Sequence, residues 1–218
     1  MNLVFPPLYA IIDAALLKTS ELSFVEMMAE SGVELLQYRN KRASSRELFE
    51  ASRSISATFS RLAKPGSYKP RFIVNDRADI ARLANAQGVH VGQQDLNVEE
   101  ARAIVGPDSL VGVSTHSLEQ LDAADKTSAD YIAFGPIFPT SSKENPDPVV
   151  GLHLLREARQ HTQKPIVAIG GITLERAAEV FRAGADSLAV ARDLIVSENP
   201  AAQAQFFLKE AAHARGEN

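Results

Sequence analysis

The sequence contains no cysteine among its 218 residues. A disulfide framework, a thiolate metal site, an iron–sulfur cluster and a cysteine nucleophile are therefore excluded. Any bound metal must be held by oxygen ligands or by histidine. The lack of cysteine suits a cytoplasmic protein, and we expect a cytoplasmic location.

Long apolar runs and basic clusters are missing as well. The apolar segment from Leu3 to Leu17 is interrupted by prolines and Asp13 and lacks a basic leader, so we interpret it as a buried strand. The formal net charge of −4 comes from acidic and basic residues mixed along the chain. No cationic stripe is available to follow a nucleic-acid backbone. The sequence predicts a protein that acts on small molecules, with no nucleic-acid or membrane partner, and leaves a homo-oligomer open.

Eight short apolar runs recur along the chain. They are residues 8–12, 33–38, 71–74, 88–91, 110–114, 131–134, 165–169 and 187–190. Most are continuously apolar, as expected of parallel strands that are covered on both faces. Amphipathic segments lie between them and carry helix-start pairs. These pairs are Ser23 with Glu26, Ser44 with Glu47, Asn97 with Glu100, and Ser117 with Gln120. The alternation predicts an α/β protein, a single-domain (β/α)₈ TIM barrel over residues 1–218, and a doubly wound open sheet is the alternative.

Polar side chains follow the predicted strands, and in a (β/α)₈ barrel the active site is built at the carboxyl ends of the strands. After the second run, Gln37, Arg39 and Lys41 alternate, so their side chains should point to one side. Two cations and an amide suit a multiply charged anion, because Arg offers a planar fork and Lys a mobile charge. A solvated basic rim is the alternative interpretation.

Two carboxylates end the next two strands. Asp76 and Asp95 would repel an anion held nearby unless a hard cation lay between them. Mg²⁺ commonly binds one or two carboxylates together with waters and phosphate oxygens, so this pair predicts a magnesium site. Taken singly, Asp76 is explained as a helix cap and Asp95 as a turn residue.

Further candidates follow the later strands. Gly170 and Gly171 allow the backbone to approach a ligand closely, and phosphate sites in this fold often use the loops after strands seven and eight. A tight turn before a helix capped by Thr173 is the alternative. The Pro- and Ser-rich segment 139–150 is too long for an ordinary connection and is a candidate active-site loop. His116 is interpreted as structural, because no acidic partner is evident in the sequence.

Several motifs in one order resemble the thiamine-phosphate synthase family. They are QYRNK at 37–41, VNDRAD at 74–79, GVHVGQQDL at 88–96, GVSTH at 112–116, FGPIFPTSSK at 134–143 and AIGGI at 168–172. The resemblance runs from about residue 8 to residue 195 and is far more specific than any single motif.

The resemblance implies a role for each matching residue. It implies that the diphosphate of a pyrimidine substrate is held by Arg39, Lys41, Asn75, Ser114 and Lys143. Asp76 and Asp95 would bind Mg²⁺, and Gln37 would contact the pyrimidine. A thiazole phosphate would be received by Thr140, Ser142 and the backbone around Gly171. Lys143, Ser114 and Arg39 would be catalytic, because they stabilise charge on the departing diphosphate.

The implied reaction is a transfer that needs little acid–base chemistry. It joins 4-amino-2-methyl-5-hydroxymethylpyrimidine diphosphate to 4-methyl-5-(2-phosphoethyl)thiazole, or to the carboxylated precursor of that thiazole, giving thiamine phosphate and diphosphate. Two positions depart from the family pattern. Arg192 stands where a small residue, often Ser, is usual, and Ser142 stands where Thr is common. An Arg192 guanidinium could contact the thiazole phosphate, or it could pair outward with Asp193.

Three rival functions use the same fold. A thiazole tautomerase-like isomerase would bind the thiazole phosphate without the diphosphate and metal residues, and it typically has His where this chain has Pro136. A Schiff-base aldolase needs a lysine on a barrel strand, and neither Lys143 nor Lys164 fits. A non-catalytic barrel that senses a phosphorylated metabolite would explain Gly171, but it would not explain two carboxylates beside two cations.

Overall fold

The chain closes into a parallel barrel in the computed structural model, which describes residues 5–62, 69–140 and 147–216. Each strand pairs in parallel with its neighbours along the chain, and β1 pairs with β8 to close the barrel. The strands are β1 Leu8–Asp13, β2 Leu35–Arg39, β3 Arg71–Asn75, β4 Gly88–Val91, β5 Leu110–Thr115, β6 Tyr131–Phe134, β7 Ile166–Ile169 and β8 Ser187–Val190. The predicted (β/α)₈ barrel is thus confirmed, and the open sheet is excluded.

Helices cover the outside of the barrel. Those in the described residues are α1 Glu21–Glu30, α2 Ser45–Leu62, α3 Ala78–Leu83, α4 Val98–Val105, α5 Leu118–Asp125, α6 Gly151–His161, α7 Leu174–Arg182, α8 Arg192–Ile195 and α9 Pro200–Arg215. No described helix has the length and apolar character that a membrane crossing requires.

Two apolar layers explain why the strands are apolar on both faces. The larger layer packs outward-facing strand residues such as Ile12 and Phe72 against the helices. The smaller layer fills the inside of the barrel with residues such as Tyr9, Leu35 and Tyr131. Apart from β4, which contributes nothing to the smaller layer, the strands alternate side chains of the smaller layer with those of the larger one, as the pleat requires.

Three of the four predicted helix-start pairs are confirmed. Ser44 and Glu47 bond reciprocally ahead of α2, Asn97 and Glu100 form a capping box, and the Ser117 hydroxyl accepts from the Gln120 backbone N–H. The helix start predicted from Ser23 and Glu26 is wrong. Helix α1 begins three residues earlier, with Ser20 accepting from the Ser23 backbone N–H, because an exposed serine before Glu21 meets the same capping requirement.

Polar side chains at the amino-terminal end of the barrel join neighbouring strands, and we call them the strand-start clamps. Gln87, Asp130 and Asp186 directly precede β4, β6 and β8. Each side chain accepts a hydrogen bond from a backbone N–H at the start of the preceding strand, at 2.9, 2.7 and 2.8 Å respectively. Arg159 on α6 holds the Asp186 carboxylate at 2.7 Å. The clamps satisfy buried backbone donors at the end of the barrel away from the candidate site.

Candidate functional site

A pocket of about 170 Å³ opens at the carboxyl ends of the strands. Six of the residues predicted from the sequence line it: Arg39, Asn75, Ser114, Thr140, Gly171 and Arg192. The first three lie in β2, β3 and β5, and the other three lie in the segments that follow β6, β7 and β8, so closure of the barrel brings together residues that lie far apart in the chain. This position is the usual one for active sites in the fold.

Arg39 is held by a carboxylate that the sequence analysis did not single out. Its guanidinium lies 2.6 Å from Oδ2 of Asp13, at the end of the neighbouring strand β1. Asp13 is almost fully buried and also accepts from the backbone N–H of Ala15. The pair fixes the Arg39 fork at the pocket wall. An acidic residue ending the apolar run LYAIID was the available signal.

Lys41, Asp76 and Asp95 form a charged cluster next to Asn75. The Lys41 ammonium donates to Asp76, and the Asp95 carboxyl group is close enough to influence the pKa of Asp76. Burial raises the pKa of the Asp76 carboxyl above its usual range, while the Lys41 ammonium opposes this rise and Asp95 adds to it. Asp95 is anchored by the Gly92 backbone N–H at 2.8 Å.

The Asp76–Asp95 pair has the chemistry of a site for a hard cation. Two neighbouring carboxylates repel each other unless a proton or a cation offsets their charge, and Lys41 supplies one such cation to Asp76. Across the described ranges, no group of three or more histidine or acidic side chains is arranged to hold a metal. A pair of carboxylates nevertheless suits Mg²⁺, which completes its coordination with waters and phosphate oxygens.

The loop after β7 brings backbone close to the pocket. Gly170 and Gly171 both have positive φ, 98° and 62°, and a Cβ on Gly171 would lie 2.5 Å from the Pro139 carbonyl oxygen. The Phe138 backbone N–H donates to the Gly170 carbonyl at 3.0 Å, so this loop packs directly on the segment after β6. Only glycine fits both the dihedral angle and the space. Thr173 occupies the predicted N-cap position, but its side chain makes no capping bond.

Arg192 is the first residue of α8 and lies exposed at the pocket wall. The outward pairing with Asp193 is not what the geometry favours. The Asp193 carboxylate accepts from the Leu174 backbone N–H at 3.1 Å and from the Gln203 side chain at 2.7 Å. It therefore ties α8 to α7 and α9.

Gln37 lies beneath the pocket and not in its wall. It is 3% exposed, and its Nε2 donates to the Tyr9 hydroxyl at 2.8 Å. Tyr9, Tyr131 and His90 continue a buried polar chain toward Ser114 that the sequence analysis missed. Residues two apart in a strand share a face, so Tyr9 lies on the same inner face as Ile11, and Tyr131 on the same inner face as Ala133. This spacing was the signal in the sequence.

His116 has an acidic partner that could not be identified from the sequence. Its Nδ1 lies 2.6 Å from the Gly135 carbonyl oxygen, and its Nε2 lies 3.3 Å from Oδ2 of Asp147. Both His116 and Asp147 line the pocket. The two are far apart in sequence, and only the fold of the segment after β6 brings them together. Ser142 and Lys143 lie outside the described residues.

Together these features define a class of protein: a (β/α)₈ barrel with a pocket lined by two guanidinium groups, and with a neighbouring carboxylate pair, at the carboxyl ends of its strands. A family model described as thiamine monophosphate synthase matches residues 8–194. The chain belongs to that family, whose members are transferases.

Individual relatives agree with the family. A thiamine-phosphate synthase from Koribacter versatilis is 49% identical over 213 residues, covering 95% of this chain and 97% of that protein. Another, from Shouchella clausii, is 42% identical over 188 residues, covering 84% and 87%. The solved structure of a thiamine phosphate pyrophosphorylase from Pyrococcus furiosus superposes with a TM-score of 0.83 at 33% identity, covering 95% of this chain and 96% of that one.

Proposed function

We propose that this chain joins 4-amino-2-methyl-5-hydroxymethylpyrimidine diphosphate to 4-methyl-5-(2-phosphoethyl)thiazole, or to its carboxylated precursor, in a Mg²⁺-dependent reaction. The products are thiamine phosphate and diphosphate, and the carboxylated thiazole releases CO₂ in addition. One observation carries the proposal: Arg39, Asn75 and Ser114 line a single pocket, and Asp76, which interacts with Asp95, directly follows Asn75 at the end of β3. Cations, neutral donors and a cation-binding pair in one place suit a diphosphate that departs.

The bond changes balance without a protein acid or base. The bond between the exocyclic methylene carbon and the diphosphate oxygen breaks, and its electron pair leaves with the diphosphate. The thiazole nitrogen supplies the lone pair that forms the new carbon–nitrogen bond. Mg²⁺ bound by Asp76 and Asp95 would offset part of the negative charge of the diphosphate. The Asp13-held guanidinium of Arg39 and the amide of Asn75 would bind and orient it.

The thiazole phosphate is assigned to the other side of the pocket. Gly171, Thr140 and Arg192 line it there, and they offer a close backbone, a hydroxyl and a guanidinium. These are the groups that bind phosphate in barrels of this kind. From the resemblance we assign Ser142 to the same phosphate, Lys143 and Lys41 to the diphosphate, and Gln37 to the pyrimidine. A cytoplasmic location and a homo-oligomer stay predictions.

The decisive experiment incubates the purified protein with both substrates and Mg²⁺ and measures thiamine phosphate by mass spectrometry. We expect product that depends on both substrates and disappears when EDTA removes the metal. Folded protein that forms no product would overturn the proposal.

The same incubation separates the alternatives. An isomerase would alter the thiazole phosphate in the absence of the pyrimidine substrate. A phosphometabolite sensor would bind one ligand and form no product.

A further inference from the structure

A buried chain of hydrogen bonds crosses the barrel beneath the pocket. Gln37 Nε2 lies 2.8 Å from the Tyr9 hydroxyl, and the Tyr9 hydroxyl lies 2.9 Å from that of Tyr131. The Tyr131 hydroxyl lies 3.1 Å from Nδ1 of His90, and Nε2 of His90 lies 2.8 Å from Oγ of Ser114. The five side chains come from β2, β1, β6, β4 and β5. We call this set the buried relay.

The relay is enclosed at one end and open to the pocket at the other. Tyr9 is 1% exposed and Tyr131 is fully buried, whereas His90 and Ser114 line the pocket. The His90 and Tyr131 rings stack with centroids 5.6 Å apart, and those of Tyr9 and Tyr131 meet edge to face at 5.8 Å. The Tyr131 ring occupies the space that a side chain at Gly112 would fill, since a Cβ there would overlap Cζ of Tyr131. The geometry of the relay is therefore fixed by packing as well as by hydrogen bonds.

Donor counting gives the relay a direction. An amide NH₂ only donates, so the Tyr9 oxygen accepts from Gln37 and the Tyr9 O–H must donate to Tyr131. The Tyr131 O–H then donates to Nδ1 of His90, which requires a lone pair there and places the imidazole proton on Nε2. Burial raises the pKa of Tyr9 well above its usual value, with smaller opposing effects of Tyr131 and Gln37, so its hydroxyl keeps its proton at neutral pH.

The direction determines what Ser114 offers to a ligand. Because His90 Nε2–H donates to the Ser114 oxygen, the hydroxyl proton of Ser114 is available to the pocket. The reverse order, with the Gln37 oxygen as an acceptor, would make Ser114 donate to His90 and turn a lone pair toward the ligand. A lone pair would repel an anion, whereas an O–H would bind it.

We propose that the buried relay sets the tautomer of His90 and so makes Ser114 an obligate hydrogen-bond donor to an anionic phosphate oxygen in the pocket. Tyr9, Tyr131 and His90 are then positioning residues that act through Ser114. That the anion is the diphosphate of the pyrimidine substrate rests on the proposed function. The donor would strengthen its hydrogen bond as charge grows on the leaving oxygen.

The tautomer of His90 is the direct test, read by ¹⁵N NMR of histidine-labelled protein without any substrate. The spectrum is assigned with His90→Gln, and we expect the Nε2–H form in the unmodified protein. Gln37→Glu replaces the donor with an isosteric acceptor and should switch His90 to the Nδ1–H form. In a Tyr9→Phe background the link is cut, so Gln37→Glu should then leave the tautomer unchanged.

Two results would overturn the relay. One is an Nδ1–H or doubly protonated His90 in the unmodified protein. The other is a tautomer that ignores Gln37→Glu although Tyr9 is present and the protein is folded. If Gln37→Glu does not fold, Tyr131→Phe removes the donor to Nδ1 at nearly constant shape, and a His90 ¹⁵N spectrum unaffected by that change would overturn the relay equally.

Calorimetric titration with inorganic diphosphate and Mg²⁺ tests the link to Ser114. We expect Tyr131→Phe to weaken binding about tenfold, or about 1.4 kcal/mol, and to add nothing in a Ser114→Ala background. Equal weakening in both backgrounds would show that Tyr131 does not act through Ser114. Neither measurement needs turnover, so failure of the relay and failure of the proposed reaction remain distinguishable.

Discussion

At the scale of single residues, two cations of the site are paired with carboxylates, Arg39 with Asp13 and Lys41 with Asp76. The His116 ring likewise contacts the carboxylate of Asp147. Each pairing holds a long side chain in one orientation before a ligand arrives. A bound diphosphate must share these cations with the carboxylates. A metal ion bound at the Asp76–Asp95 pair would add positive charge for the diphosphate.

Replacing either carboxylate of the pair by its amide tests the metal assignment. Asp76→Asn and Asp95→Asn keep the shape of the side chain and remove an anionic ligand. We expect each to lower turnover about a hundredfold, or about 2.7 kcal/mol of transition-state stabilisation. The measurement is kcat/KM over a range of Mg²⁺ concentrations, where the loss should be greatest at low Mg²⁺.

Asp108→Asn is the matched control, because Asp108 is exposed and precedes β5 at the opposite end of the barrel. It should leave turnover unchanged. Near-normal activity of both folded pair variants at low Mg²⁺ would contradict the metal assignment.

Arg192 tests the thiazole side of the pocket. Removing its guanidinium by Arg192→Ala should raise the KM for the thiazole phosphate about tenfold, or about 1.4 kcal/mol, and hardly change that for the pyrimidine diphosphate. Arg182→Ala removes an exposed guanidinium from α7 and serves as the control. An unchanged KM for the thiazole phosphate would assign Arg192 a structural role only.

At the scale of the elements, the site depends on loops that the barrel and its helices hold in place. The segment after β6 packs on the Gly170–Gly171 turn, and the Arg176 guanidinium from α7 lies 4.4 Å above the Phe138 ring. The same guanidinium donates to the Gly171 carbonyl at 2.9 Å. The phosphate side of the pocket is thus supported from behind by the first turn of a helix.

Gly171→Ala should disturb this support in two ways. Alanine is strained at a φ of 62°, and its Cβ would meet the Pro139 carbonyl oxygen at 2.5 Å. We expect a loss of about 1 to 3 kcal/mol in the free energy of unfolding, measured in urea, together with weaker binding of the thiazole phosphate.

Gly216→Ala is the control for the dihedral term alone. Gly216 also has positive φ, at 70°, but a Cβ there would meet nothing within 4 Å. It should cost less stability and leave ligand binding intact. Equal effects of the two substitutions would mean that the close approach at Gly171 is unimportant.

Helix α9 offers a test of stability that is separate from activity. Its N-cap, Asn199, accepts from the backbone N–H of Ala202 at 3.0 Å. Asn199→Ala should lower the free energy of unfolding by about 1 kcal/mol, because that donor loses its partner, and Asn199→Ser should recover most of the loss. The value of kcat/KM should be the same for all three proteins. A fall in kcat/KM for Asn199→Ala would show that α9 influences the site.

At the scale of the whole molecule, the local pattern of apolar residues predicts the strands but not the side-chain contacts between them. The eight apolar runs match the eight strands with boundary differences of two residues or fewer, because buried parallel strands are apolar on both faces. Most site residues could be predicted from the sequence for the same reason, since they directly follow those runs.

The remaining site contacts depend on closure of the barrel. The Tyr9 and Tyr131 hydroxyl groups meet although the residues are 122 positions apart. The Arg39–Asp13 pair depends on the register of β1 against β2, and the His116–Asp147 pair on the path of the segment after β6. The spacing of apolar residues determines neither the register of two strands nor the path of a loop, so these partners could not be predicted from the sequence alone.

The strand-start clamps have a consequence for the order in which the barrel assembles. Each clamp joins strands that are consecutive in the chain, whereas β1 and β8 meet only after almost the entire chain has folded back. Because the entropy lost on closing a loop grows with its length, the clamped pairs should form first and the β1–β8 seam last.

Pulsed hydrogen exchange during refolding measures this order. The amides of Val111 and Ile166 report on two clamps, because they donate to Asp130 and Asp186. They should gain protection before the Leu188 amide, which donates to the Pro7 carbonyl at the seam. Simultaneous protection of the three amides would mean that the seam and the clamps form in one step. With the expected order, the pocket, whose walls come from both sides of the seam, becomes complete only in the last step of folding.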